Sequence, residues 1–145
     1  MKFEEIHGNL FDSITQVIAH GCNCQGIMGA GVALQIKRQF PEVYLEYHNE
    51  CKCGYFNLGS CLIKESEGRV IANLGTQMYC GPDARISAIT ESLLRLRVLM
   101  EDNGWFSVAM PRIGCGLGGL LWSDVKKVIK NAFTSTDIEV FIYKL

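Results

Sequence analysis

The sequence predicts one α/β domain, a mixed β-sheet with helices on its faces. Three observations carry this. Strand-like and helix-like stretches alternate with little chain between them. The longest helical stretch, Asp83 to Asn103, keeps its apolar residues on one stripe. Two glycine-bearing loops, "HGCNCQGIMGAGVA" (20–33) and "PRIGCGLGGLLW" (111–122), fall where a strand gives way to a helix. At 145 residues the chain has the length of a single domain, 1–145, and can bury an ordinary core.

In chain order, "KFEEIHG" (2–8) and "TQVIAHGCN" (15–23) read as strands. "GAGVALQIKRQF" (29–40) repeats apolar residues at Val32, Ala33, Ile36 and Phe40, a helical spacing that stops at Pro41. "PEVYLEYHNEC" (41–51) is a second helix, with proline suited to its first turn. "GSCLIKES" (59–66) and "RVIANLGTQ" (69–77) are strands of a hairpin joined through "ESEG" (65–68). In the 83–103 helix, Ile86, Ile89, Leu93, Leu96 and Met100 form the stripe, and Asn103-Gly104 ends it. "WFSVAMPRI" (105–113) is a buried strand, "SDVKKVIKNAF" (123–133) a helix capped by Ser123, and "DIEVFIYKL" (137–145) a last strand. No repeat or linker interrupts the series.

Charge and cysteine usage exclude several function classes. A net charge of −1 gives no basic field for duplex nucleic acid or an anionic membrane, so neither partner is expected. Arg95 and Arg97 are two residues apart and point away from each other, with Glu91, Glu101 and Asp102 offsetting them. The N-terminus carries acidic residues where an export signal needs an apolar stretch, and no run reaches the roughly 18 residues of a membrane span. The seven cysteines are therefore expected to be reduced thiols of a cytoplasmic protein. "CNC" and "CKC", with His48 nearby, depart from structural-zinc spacing, and neither a metal nor a cofactor is expected.

The chemistry centres on the two loops. An apolar run, Phe106 to Met110, meets Pro111, and four glycines then arrive within six residues. The first loop holds His20, Asn23 and Gln25, then opens a helix with "GIMGAGVA". A helix N-terminus offers unpaired N–H groups and partial positive charge, which suits a phosphate. No G-K-[ST] follows, and the dinucleotide-binding fingerprint with its acidic residue is missing. Loops at the carboxyl ends of neighbouring strands can nevertheless clamp a diphosphate from both sides.

"GNLF", "HGCNCQGIMGAGVA" and "MPRIGCGLGGLLW", in that order, closely resemble the macrodomain family, from about Phe3 to Leu145. The nearest branches are the terminal ADP-ribose glycohydrolases and the ADP-ribose-1''-phosphate phosphatases. The resemblance implies a three-layer α/β/α sandwich with a mixed central sheet. It implies that Asn9, with Leu10 beside it, stands where many members carry an aspartate for the adenine amino group. Asn23 matches the asparagine reaching the distal ribose. Gly29, Ala30, Gly31 and Val32 match the first diphosphate loop. Ile113, Gly114, Cys115, Gly116, Leu117 and Gly118 match the second. Tyr143 is a candidate to pack on adenine, with a core position as the alternative.

Departures from the family limit what carries over. The glycohydrolase branch has a lysine where Gln77 stands and an aspartate where Gly118 stands; another branch has an acidic residue at Ala33. An amide is no nucleophile. His20, three residues before Asn23, is the candidate for proton transfer, with a structural histidine as the alternative. Cys115 sits where amides can lower a thiol pKa, but no arginine follows as in a cysteine phosphatase, so it counts as a small loop residue. The expectation is a hydrolase that binds ADP-ribose or a derivative, free or on ADP-ribosylated macromolecules. It removes the terminal phosphate of ADP-ribose-1''-phosphate slowly, with His20 and Asn23 as catalytic residues. The alternatives are a non-catalytic reader of ADP-ribose and a glycohydrolase with an unfamiliar residue set.

Overall fold

A computed structural model describes residues 1–145. Its strands are β1 (Lys2–His7), β2 (Val17–Asn23), β3 (Cys61–Ser66), β4 (Arg69–Gln77), β5 (Ser107–Met110) and β6 (Glu139–Lys144). Its helices are α1 (Gly31–Gln39), α2 (Pro41–Lys52), α3 (Ile86–Asn103) and α4 (Trp122–Phe133). Short 3-10 turns occupy Leu10–Asp12 and Gly116–Gly118. One sheet takes the order β1-β6-β5-β2-β4-β3, and every neighbouring pair is parallel except β3 with β4. The mixed sheet is thus a parallel sheet with one antiparallel edge strand.

Strand alternation builds the two outer layers. Val17 and Ala19 of β2 face α3 and α4, joining Ile89, Leu93, Leu96, Met100, Val125, Ile129 and Phe133 in one apolar cluster. Ile18, between them in sequence, faces the opposite side and packs with Ile36 of α1, Val43 and Tyr47 of α2, and Phe40 between the two helices. The central strands are buried on both faces, so β2 and β4 read as near-continuous apolar runs. The β3–β4 hairpin turns through Glu67 and Gly68, both with positive φ (51° and 76°), as a tight turn matched to strand twist requires.

Most element boundaries move by one to three residues, and three of the shifts have a clear physical reason. β5 ends at Met110 because Pro111 has no N–H for the ladder. α3 begins at Ile86, not Asp83, since the Asp83 carboxylate bonds the backbone of the preceding loop. The expected cap of α4 is corrected: Ser123 lies inside the first turn, Leu121 holds the cap position, and no side chain caps it.

Candidate functional site

β2, β4 and β5 end at the same edge of the sheet, and a cleft of about 530 Å³ opens there. That volume suits a small-molecule ligand. Its floor comes from the strand ends His20 to Asn23 and Thr76–Gln77. The α1 start forms one wall, through Gly29, Ala30, Gly31, Val32 and Ala33. The loop after β5 forms another, through Ile113, Gly114, Cys115, Leu117 and Gly118. The structure therefore brings together nearly all the residues singled out in the sequence. Gly116 belongs to the same loop without lining the cleft, and Asn9 and Leu10 also lie outside the lining. Asn9 Oδ1 caps the first 3-10 turn by accepting Phe11 N–H at 2.9 Å, and Leu10 is buried in the core.

Both walls offer backbone donors. Ala30 precedes α1 with no side-chain cap, so the first-turn N–H groups of the helix face the cleft with the positive end of its dipole. In the second loop, Gly114 and Leu117 N–H are left without a protein acceptor. Of the lining residues only Arg112 carries a formal charge; no lysine, aspartate or glutamate is among them. Arg112 stacks over the Trp122 ring at 5.2 Å and pairs at 3.6 Å with Glu5, whose carboxylate also takes Lys126 at 2.7 Å and Trp122 N–H at 2.9 Å. Those partners, Lys126 first, hold the Glu5 carboxyl below its ordinary range.

His20 stands near the end of β2, on the cleft floor. Its ring is 1% exposed. Asn73 Nδ2 donates to the Leu62 carbonyl at 3.1 Å, so Asn73 Oδ1 is an acceptor and His20 Nε2–H donates to it at 2.7 Å. Burial outweighs that bond and lowers the His20 pKa to about 4. Cys22 Sγ lies against the ring, 3.6 Å from Nε2 and 3.8 Å from Nδ1. The imidazole is thus a nearly buried ring on the cleft floor, anchored to β4 through Asn73.

Asn23 lines the cleft while building its loop. Its Nδ2 donates to Ile27 O at 2.8 Å, and its Oδ1 accepts from Gln25 N at 3.0 Å and from Tyr47 O–H at 2.9 Å. Cys115 is no thiolate: burial raises its pKa, and Sγ–H points to Ile113 O at 3.6 Å. His48 Nδ1–H donates to the Gly26 carbonyl at 3.0 Å, supporting the same loop from α2.

Sequence reasoning missed the wall made by residues 78–84. Gln77 Nε2 donates to the carbonyls of Tyr79 (2.6 Å) and Gly81 (3.0 Å). Asp83 Oδ2 accepts Met78 and Tyr79 N–H, both at 3.0 Å, which lowers its pKa. The "GPD" turn signal at 81–83, just past a strand's carboxyl end, marks the place in the sequence but not the bonds. Gly118 also has a packing reason: a Cβ there stands 2.9 Å from Ala84 Cβ, so this backbone excludes any larger residue.

A doubly flanked sheet with paired glycine loops at its switch edge defines an anion-binding α/β domain. The family described as Macro domain matches residues 19–129, and the chain belongs to it. It is 32% identical over 141 residues to a DNA ADP-ribosyl glycohydrolase of Mycobacterium tuberculosis, covering 94% of this chain and 40% of that protein. The chain thus spans well under half the length of that relative. It is 30% identical over 162 residues to an ADP-ribose 1''-phosphate phosphatase of Meyerozyma guilliermondii, covering 89% and 93%. The solved macrodomain of Thermus aquaticus DarG superposes with a TM-score of 0.90 at 30% identity, covering 99% and 98%. Thermosipho africanus DarTG in complex with ADP-ribose gives 0.85 at 30% identity, covering 94% and 39%. No helix of the chain is long and apolar enough to cross a membrane.

Proposed function

We propose that this chain binds ADP-ribose in the cleft and hydrolyses the terminal phosphate of ADP-ribose-1''-phosphate. The diphosphate lies between the α1 start and the 113–118 loop, and Asn23 stands at the distal ribose. The observation that carries the reading is a lining rich in backbone N–H groups and free of lysine, aspartate and glutamate. Hydrolysing a glycosidic bond asks for a nucleophile or a carboxylate pair. Gln77 instead spends its amide on two carbonyls, and Gly118 has no room for a side chain. Phosphoryl transfer asks mainly for positioning and stabilisation of anionic oxygens, which N–H groups supply. Water adds to phosphorus as the bond from phosphorus to the ribose oxygen breaks; water's proton goes to that oxygen, and ADP-ribose and inorganic phosphate leave. Without a side-chain acid in the lining, turnover is slow. His20 acts here only by holding the end of β2 in place, and the free cysteines fit a reducing, cytoplasmic setting.

The inward commitment of Asn23 and His20 favours a second reading, a module that binds ADP-ribose and leaves it intact. Calorimetry with ADP-ribose, run beside phosphate release from ADP-ribose-1''-phosphate, separates the two. Binding with release is the expected result. Binding without release makes the chain a reader. Absence of binding to both means that the loops hold another anion.

A further inference from the structure

The wall formed by residues 78–84 touches both glycine loops. Towards the first loop, Cys80 N–H donates to Gln25 Oε1 at 2.9 Å and Cys24 N–H to Met78 O at 3.1 Å. Towards the second, Ala84 N–H donates to Gly118 O at 3.2 Å. The same contact is tight enough that a Cβ on Gly119 would stand 3.2 Å from Pro82 Cβ. Tyr79, Cys80, Gly81 and Pro82 are exposed, so apolar burial does not set the shape of this arch. Polar bonds set it, and two of them come from one group, the Gln77 carboxamide beneath the arch.

We propose that Gln77 is a positioning residue: its carboxamide locks the 78–82 arch, and the arch fixes the separation of the two glycine loops. This rests on the reading of the cleft as an ADP-ribose site. Strand β4 ends at Gln77, so one side chain ties the rigid sheet to the middle of the arch, whose ends are held by the Asp83 carboxylate and by Gln25. Neither glycine loop contacts the other through a backbone bond; the arch bonds to each. Losing the carboxamide therefore widens the cleft without opening the core.

Two variants test this. Gln77→Met keeps the length and removes both donors. Gln77→Glu places an acceptor-only carboxylate against two carbonyl oxygens, a repulsion that ends when the carboxyl is protonated and can donate. The titratable groups nearby are Asp83 and Arg85, paired with each other at 3.3 Å, the thiols of Cys24 and Cys80, and His20. The wild type and Gln77→Met carry the same groups and give the background. The expected result is a loss of ADP-ribose affinity of about tenfold in Gln77→Met, the net worth of one to two hydrogen bonds. Gln77→Glu should lose more at pH 7.5 and recover as the pH falls towards 5, while Gln77→Met stays flat against the wild type. Unchanged affinity in Gln77→Met, or a pH-independent defect in Gln77→Glu, overturns the proposal. If the wild type binds no ADP-ribose, the functional reading fails instead. Hydrogen exchange then decides on the arch: Tyr79 and Cys80 N–H must exchange faster in Gln77→Met, and unchanged protection there rejects the positioning role.

Discussion

The two glycine loops differ in what their missing side chains make room for. In the first, a Cβ at Gly31 would meet nothing within 4 Å, and one at Gly29 only Ile27 Cγ2 at 3.5 Å. In the second, a Cβ at Gly114 would stand 2.8 Å from Ile89 Cδ1 and 3.1 Å from Leu120 Cδ1, and one at Gly118 would press on Ala84. The 29–31 segment of the first loop therefore leaves its space to the solvent side, where a ligand can come close to backbone, whereas Gly21 and Gly26 earlier in that loop are packed against Thr76 and His48. The second fills most of its space with protein and presents donors from a packed platform. Two stretches that look alike in composition thus differ: one leaves backbone open at the cleft, the other is seated on Ile89 and Leu120.

The largest effect should come from putting a methyl group on the packed side. Gly114 has φ of 76°, so Gly114→Ala meets both a left-handed backbone and a crowded Cβ. The two terms together cost about 2–5 kcal/mol, read as a lower urea midpoint. A loss below about 1 kcal/mol would mean the platform yields easily, and the contrast between loops would collapse.

Next comes the support beneath the first loop. His20 has a pKa of about 4 in the fold against an ordinary 6.5. Between those values the unfolded chain binds the proton and the folded chain does not, so stability rises with pH across that window. It is fully present above pH 6.5 and falls by about 3 kcal/mol as the pH drops towards 4. Denaturant titrations at pH 7, 6 and 5 measure the slope, and most of the comparison sits above the range where Glu5 and Asp83 titrate. His20→Gln should flatten that slope, whatever its cost in absolute stability. An unchanged slope would show that His20 keeps its proton in the fold, reopening the proton-transfer role.

On the open side the effect moves from stability to binding. Gly29→Ala puts a methyl group where the sequence resemblance places the diphosphate, at a position with no positive φ. Stability should stay within about 0.5 kcal/mol, while ADP-ribose affinity falls about tenfold, or 1.4 kcal/mol. Matched affinities in a calorimeter would separate the phosphate path from Gly29.

The same contrast explains what the sequence could convey. Pattern and turn residues placed all four helices and all six strands, most clearly where apolar residues repeat on a buried face, as with Ile89, Leu93, Leu96 and Met100 of α3. They could not give strand order, which depends on contacts far apart in the chain, such as Lys2 opposite Glu139. Ser123 failed as a cap because Trp122, held by Glu5 from β1, already occupies the first helical position. Residue identity carried the two loops of the cleft. It could not reveal that His20 is bonded to Asn73, nor that Gln77 donates to two carbonyls of the arch, since both depend on which groups lie opposite an amide.

Gly116 supplies the smallest effect and the means to divide the largest. Its φ is 71°, close to that of Gly114, yet a Cβ there would meet nothing within 4 Å. Gly116→Ala therefore carries the left-handed backbone term alone, about 1 kcal/mol. Measured in the same denaturant series, the difference between Gly114→Ala and Gly116→Ala isolates crowding against Ile89 and Leu120. If the two variants lose equal stability, backbone conformation accounts for both glycines and the second loop is no more packed than the first. If Gly114→Ala loses clearly more, the excess measures how firmly that loop is seated on α3. In the proposed function that seating lets the free Gly114 N–H meet an anion without rearranging first, and preorganised donors of this kind are the ones that bind tightly.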